Sequence, residues 1–347
     1  MRRFLLPVAL AMAVAACGGD DTSSATDAST VPTAGSEVAT ATTAPVTTTS
    51  SAPARSGEIV ALTYNVAGLP EILSGSRPAE FTPQIGPLLN DYELVLLQET
   101  WRTPAPNPLA PLRVYHEILE EASEHEHRSE PSPLPLGGDP TRPEALVSDG
   151  LNRFSDFPFA PVERMAWTEC FGSADQSDGG SGDCLSQKGF SVAPTTLAEG
   201  GEVDDYNLHL EAGGTEEDRR ISRAQAHQLT KFINSESIGR PLIVGGDFNL
   251  HTDPEQADDP GEAWDLESFR IILDEAGLTD VCEALDCPEP GRIDKFLFRS
   301  TDELRLEPLD WNFETDVFVA ADGEPLSDHD ALAVTGRQSR HTHVDGA

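Results

Sequence analysis

The sequence predicts a mixed α/β or α+β domain built on two β-sheets. Continuous apolar runs such as Ile59 to Leu62, Leu94 to Leu97 and Leu242 to Val244 read as strands covered on both faces. Helical stretches alternate with them, and the strands are numerous enough for two sheets packed into layers.

Taken in order, Glu58 to Asn65 is β-rich and ends on a polar residue. Glu93 to Glu99 repeats the design, an apolar strand closing on an acid. Thr103 to Pro111 is a proline-rich loop. Val114 to Glu126 reads as a helix whose histidines, His116 and His125, with His127 just beyond, are solvated. Gly189 to Ala198 and Val203 to Glu211 read as neighbouring strands joined by the turn-forming Glu199-Gly200-Gly201-Glu202. Thr215 to Ser235 is a helix opened by a capping pattern, Thr215 with Asp218, and Ile221, Ala224, Leu229 and Phe232 supply its apolar face. A buried strand follows at Pro241 to Gly245, then a helix from Leu266 to Ala276 closed by Gly277. Further strands fall at Lys295 to Arg299, Leu304 to Leu309 and Ala331 to Val334, and there is no internal repeat.

The first residues read as an address. Arg2 and Arg3 precede the apolar run Phe4 to Ala16, which is too short to span a bilayer, and Val14-Ala15-Ala16-Cys17 is similar to a bacterial lipobox. Cys17 is then the expected lipidation site, and the protein is expected on the outer face of the cytoplasmic membrane. Residues 18–57 are Ser, Thr, Ala, Pro and Asp with little to bury, the composition of a disordered tether. Residues 58–336 are left as one catalytic-size domain and 337–347 as a short tail.

A formal charge of −37 speaks against holding nucleic acid by positive charge alone. The lysines are Lys188, Lys231 and Lys295. Apart from Cys17 there are four cysteines, and outside the cytoplasm an even number favours disulfides. Proximity suggests Cys170–Cys184 and Cys282–Cys287. A zinc site is the rival, but it lacks paired C-x-x-C spacing.

The chemistry-bearing signal is a set of polar residues at strand ends: Asn65, Glu99, His209, Asp247 with Asn249, and Asp294. Asp328 and His329 come just before the final strand. Strand ends hold side chains at the rim of a rigid sheet. Hard oxygen donors plus two histidines favour Mg²⁺, with Mn²⁺ as the alternative, over zinc. Singly, Gly246-Asp247-Phe248-Asn249 could be a turn and Ser327-Asp328-His329-Asp330 a solvated loop.

Jointly, the segments Thr63-Tyr64-Asn65-Val66, Leu97-Gln98-Glu99, Asn207-Leu208-His209-Leu210, Gly246-Asp247-Phe248-Asn249, Arg292-Ile293-Asp294 and Ser327-Asp328-His329 resemble the endonuclease/exonuclease/phosphatase superfamily. The resemblance covers residues 58–336. It implies a four-layer α/β/β/α sandwich and a metal-dependent phosphoester hydrolase. It further implies that Glu99 is the principal metal ligand, with Asn65 and Asp328 near the metal or its waters. His329, oriented by Asp294, is implied as the base. His209 and Asn249 would hold phosphate oxygens, and Asp247 would orient the nucleophile or ligate metal. Lys295, after Asp294, stands where many relatives carry an aromatic, and the expectation for it leans to solvent.

Two segments are similar to bacterial sphingomyelinases: Ser148 to Ser155, and Asp183 to Phe190, where Lys188 would approach a lipid phosphate or lie on the surface. The favoured reading is a sphingomyelinase or phospholipase C-like enzyme acting on a lipid head group. The alternatives are a secreted deoxyribonuclease-like endonuclease, a phosphomonoesterase, or a catalytically dead binding module. No protein partner is predicted.

Overall fold

The computed structural model describes residues 57–69, 74–102, 115–133, 142–173, 177 and 179–340. The signal segment, Cys17, nearly all of the tether and the Thr103 to Pro111 loop lie outside them.

Twelve strands form two six-stranded sheets among the described residues. The first comprises β1 (Glu58–Asn65), β2 (Leu94–Gln98), β3 (His127–Arg128), β4 (Asn152–Ser155), β11 (Leu304–Phe313) and β12 (Leu332–Arg340), in the order β11-β12-β1-β2-β4-β3. The second comprises β5 (Glu163–Ala166), β6 (Gly189–Thr196), β7 (Glu202–His209), β8 (Leu242–Asp247), β9 (Thr279–Asp280) and β10 (Asp294–Arg299), in the order β5-β6-β7-β8-β10-β9. Each sheet has one parallel pair near its middle, β1 with β2 and β7 with β8. The other pairings are antiparallel.

The continuous apolar runs serve two faces at once. Leu62, Tyr64, Val95 and Leu97 pack outward on α1 (Pro78–Leu88) and α2 (Tyr115–Ala122) through Phe81, Ile85 and Leu119. Their alternates Ala61, Leu94 and Leu96 face inward and meet Phe296, Leu332 and Val334 between the sheets. On the other side Tyr206, Leu208, Leu242 and Val244 pack on α3 (Glu216–Glu236) and α4 (Pro260–Ala276) through Leu229, Ile233, Phe269 and Ile272. Side chains of this kind each contribute about 1.5–3 kcal/mol when fully buried. The layers are helices, sheet, sheet, helices, the four-layer sandwich.

Local signals act where expected. Thr215 Oγ1 accepts from the Asp218 amide at 3.2 Å and Asp218 returns the bond at 2.8 Å, so α3 begins with a capping box. Gly277, at φ +63°, ends α4 in the left-handed conformation. Cys170–Cys184 and Cys282–Cys287 are both disulfides. The second ties the first turn of α5 (Val281–Leu285) to Cys287, two residues beyond its end.

Three expectations need correction. His116 and His125 are buried rather than solvated, flanking the Phe154 ring at 5.9 and 6.0 Å, because the helix ends at Ala122 and the chain turns back under the sheet. β12 runs to Arg340, so residues 337–340 belong to the sheet, paired with β11 and β1, and not to a tail. Lys295 does not reach solvent. It is buried, donates to the Pro290 carbonyl at 3.1 Å and lies 5.0 Å from the centre of the Phe269 ring, and burial pushes its pKa down to about 8.

Candidate active site

A parallel pair ends with two strands side by side, and the registers show what this does. Asn65 pairs with Gln98, so Asn65 and Glu99 leave the first sheet as neighbours, and His209 pairs with Asp247 in the second. The ends of the two pairs meet across the gap between sheets. Asn65 Nδ2 donates to Glu99 Oε1 at 3.1 Å and to Asp247 Oδ2 at 3.0 Å, joining the first sheet to the second.

Backbone conformation sharpens the exits. Glu99 (φ +59°) and Asn249 (φ +49°) adopt the left-handed region, uncommon outside glycine and concentrated where a site requires it. Gly246 is required by space, since a Cβ there would lie 2.2 Å from the Leu208 carbonyl oxygen. Asp247 Oδ1 accepts from the Asn249 amide at 2.9 Å, and Asn249 Nδ2 donates to the Leu210 carbonyl at 3.2 Å, which fixes both residues of that turn.

Asp247 is the electrostatic centre. His209 Nε2 lies 3.2 Å and His329 Nε2 3.7 Å from Asp247 Oδ2. Burial opposes ionisation of this carboxyl, but His209 and His329 outweigh it and hold the pKa well below the usual carboxylate range. His329 Nδ1 is 2.7 Å from Asp294 Oδ2, which fixes the ring with Nε2 toward Asp247 and Asn65. Burial favours the neutral ring, yet Asp294 and Asp247, with Asp328 after them, raise the His329 pKa well above 6.5. Asp294 is itself raised by burial. Ser327 braces the loop, its hydroxyl donating to the Asn65 carbonyl at 2.7 Å and accepting from the His329 amide at 3.3 Å.

The site residues read from the sequence therefore meet at one edge of the sandwich. Asp328 is the most exposed of them. Its pKa is raised by partial removal from water and, after the opposing pull of His329, by the charge of Glu99. Lys188 is buried, not a surface charge: it forms an ion pair with Asp183 and donates to the Leu210 carbonyl at 3.4 Å, the oxygen that Asn249 also addresses. The sequence reading missed Trp101 and the bracing role of Ser327. Trp101 sits two residues after Glu99, which was the available signal.

Potential ligand atoms of Asp247, Asp294 and His329 lie within 4.8 Å of one another. Part of that closeness is the Asp294–His329 hydrogen bond, which a cation at this point would have to break. Asp328, whose ionisation the charge of Glu99 opposes, and Glu99 itself suit a hard divalent ion better, since such ions need only one or two carboxylates besides water and phosphate. Asn65 offers its amide nitrogen to Glu99, and its oxygen is committed to the Ala67 amide at 3.1 Å. Two buried polar atoms of the site, His209 Nδ1 and Asp294 Oδ1, have no hydrogen-bond partner. Unpaired buried atoms also occur away from the site, at His116 for one, so it is the position of these two beside Asp247 and His329 that singles them out.

Residues 62–329 match the model of the Endonuclease/Exonuclease/phosphatase family. The chain belongs to this family. It is 31% identical over 293 residues to the sphingomyelinase of Mycobacterium tuberculosis and Mycobacterium bovis, an alignment covering 80% of this chain and 52% of those proteins. The chain thus spans about half the length of the curated relatives it matches. Among solved structures, a humanized TDP2 of D. rerio superposes with a TM-score of 0.55 at 18% identity, covering 81% of this chain and all of the other. A Staphylococcus aureus beta toxin mutant with bound magnesium ions gives 0.54 at 14% identity, covering 80% and 99%. At such identities these structures support the fold of the endonuclease/exonuclease/phosphatase family and nothing finer.

Proposed function

We propose that the protein is a divalent-metal-dependent phosphodiesterase acting on a lipid of the sphingomyelin type, held outside the cytoplasmic membrane through Cys17. The observation that carries the hydrolytic reading is the His329–Asp294 pair at 2.7 Å, set beside Asp247, Asn65 and His209 at the edge where Glu99 emerges. The lipid preference is supported by the 31% identity to a sphingomyelinase and by the acid-rich composition, which is unsuited to gripping a polyanion.

In this reading Asp294 fixes the tautomer of His329, whose Nε2 takes the proton of the attacking water. Asp247 orients that water and holds His209 in place. His209 and Asn249 donate to the non-bridging phosphate oxygens, and His209 is the candidate acid for the leaving group. Lys188 adds a positive charge behind Asn249. Glu99 and Asp328 would hold the cation, Mg²⁺ or Mn²⁺, with Asn65 steering Glu99. Bound there, the ion would neutralise charge on the phosphoryl group and offset the negative potential that raises the His329 pKa.

The test is hydrolysis by the purified full chain of sphingomyelin vesicles, lysophospholipid micelles and plasmid DNA, each with Mg²⁺ or EDTA. Release of phosphorylated head group from sphingomyelin, abolished by EDTA, is expected. DNA cleavage without lipid turnover would replace the lipid reading by the nuclease one. Mass spectrometry of the mature N-terminus tests the anchor: an unmodified Cys17, or a chain cut elsewhere, removes it.

A further inference from the structure

We propose that Trp101 is the positioning residue for the metal-binding carboxylate of Glu99; this rests on the reading of Glu99 as the cation ligand. Glu99 is the first residue after β2, in a left-handed turn, where a flexible side chain would otherwise sample several rotamers. Each of its oxygens instead receives one neutral donor. Oε1 accepts from Asn65 Nδ2 at 3.1 Å, and Oε2 accepts from Trp101 Nε1 at 3.3 Å.

The indole that makes the second bond is itself immobilised. Trp101 is buried and packs on Gly150, where a Cβ would lie 2.7 Å from the ring. Gly150 has φ +71°, and its carbonyl accepts from both the amide and the hydroxyl of Thr100, at 3.0 and 2.9 Å. The indole centroid stands 6.1 Å from that of His209. One rigid ring therefore sets a carboxylate oxygen on one side and walls the phosphate-facing histidine on the other.

The choice of donor matters. An arginine or lysine here would neutralise Glu99 and compete with the cation. An indole N–H orients the carboxylate, leaves its charge, and leaves each oxygen a further lone pair. Such outer partners of a ligand typically account for 10–100-fold in metal affinity. Trp101 acts through Glu99, so its loss should weaken metal binding much more than turnover at saturating metal.

The experiment measures Mn²⁺ dissociation constants by electron paramagnetic resonance for the wild-type chain, Trp101→Phe, Gly150→Ala and Glu99→Gln, with turnover against Mg²⁺ concentration alongside. W101F keeps the ring and removes the donor. It should bind Mn²⁺ about tenfold more weakly and need correspondingly more Mg²⁺ for half-maximal turnover, with turnover at saturating Mg²⁺ lowered by no more than about threefold. G150A, which displaces the indole without altering it, should shift affinity in the same direction, and it carries the test if W101F does not fold. E99Q should lose binding. Folded W101F and G150A that both bind Mn²⁺ within about twofold of wild type would overturn the inference alone. A wild-type chain that binds no Mn²⁺ would overturn the metal reading, and the inference with it.

Discussion

Two polar clusters lie between the sheets, and they are built to opposite rules. In the interior one, Arg153 forms an ion pair with Asp205 and donates to the Ser191 carbonyl and hydroxyl at 3.2 and 3.0 Å, while Asp205 also accepts from Thr195. Beside it, Gln98 donates to Asn207 at 2.7 Å and Asn207 donates to the carbonyls of Leu97 and Asn152. At the edge, by contrast, His209 Nδ1 and Asp294 Oδ1 are left without partners, while Asp247 and Asp294 crowd His209 and His329. The first cluster fastens sheet to sheet. The second keeps unspent capacity for a substrate. Neither burial of polar groups nor incomplete satisfaction alone marks a site; here unpaired atoms stand beside ionisable partners where the strand pairs end.

The comparison can be broken most directly at the edge. His329→Ala should lower kcat/KM by roughly 10³-fold at saturating metal; activity near wild type would refute the assignment. In the interior, Asp205→Ala should leave the Arg153 charge stranded and cost roughly 3–5 kcal/mol in urea unfolding, and the double replacement Arg153→Met with Asp205→Leu should cost less than either single change. If D205A instead lost turnover without losing stability, the division between clusters would fail. Removing metal tests the edge again: Mg²⁺ at about 100 times its Kd should stabilise the wild type by about 2.7 kcal/mol and leave E99Q unmoved.

His116 sharpens the rule from outside both clusters. Its ring nitrogens have no hydrogen-bond partner and it is fully buried, yet it sits between α2 and the sheet, stacked on Phe154, away from the edge. Burial, with a smaller push from Arg164, lowers its pKa from 6.5 to about 4. The unfolded chain therefore binds more protons between those values. Its stabilising share is complete above about pH 6.5 and is lost as pH falls toward 4, a change of roughly 2–3 kcal/mol. His116→Leu should flatten the fall in urea midpoint between pH 7 and pH 4.5; an unchanged slope would show that His116 is not titrating there.

The sequence carried the site further than it carried the periphery. Asn65, Glu99, His209 and Asp247 were legible because each closes, or directly follows, a strand, and Asp294 because it opens one; register then forces them together. The sandwich followed from the apolar runs, and α3 from its cap. Helix α1 was not legible, since Pro83 and Pro87 lie within it and each removes a backbone donor. The burial of His116, His125, Lys188 and Lys295 was not legible either. Each depends on what a distant segment lays over it, such as Asp183 against Lys188 or the Phe269 ring near Lys295, and no local pattern records that.

The parallel pairing of β1 with β2 and of β7 with β8 has a practical corollary. The candidate site lies at the ends where these four strands finish, so the rim where they start is free for engineering. Just before β8 begins, Ile238 is 75% exposed. A fluorophore or affinity handle spliced in at that turn would ride on the molecule opposite the candidate site, leaving that edge open to ligands.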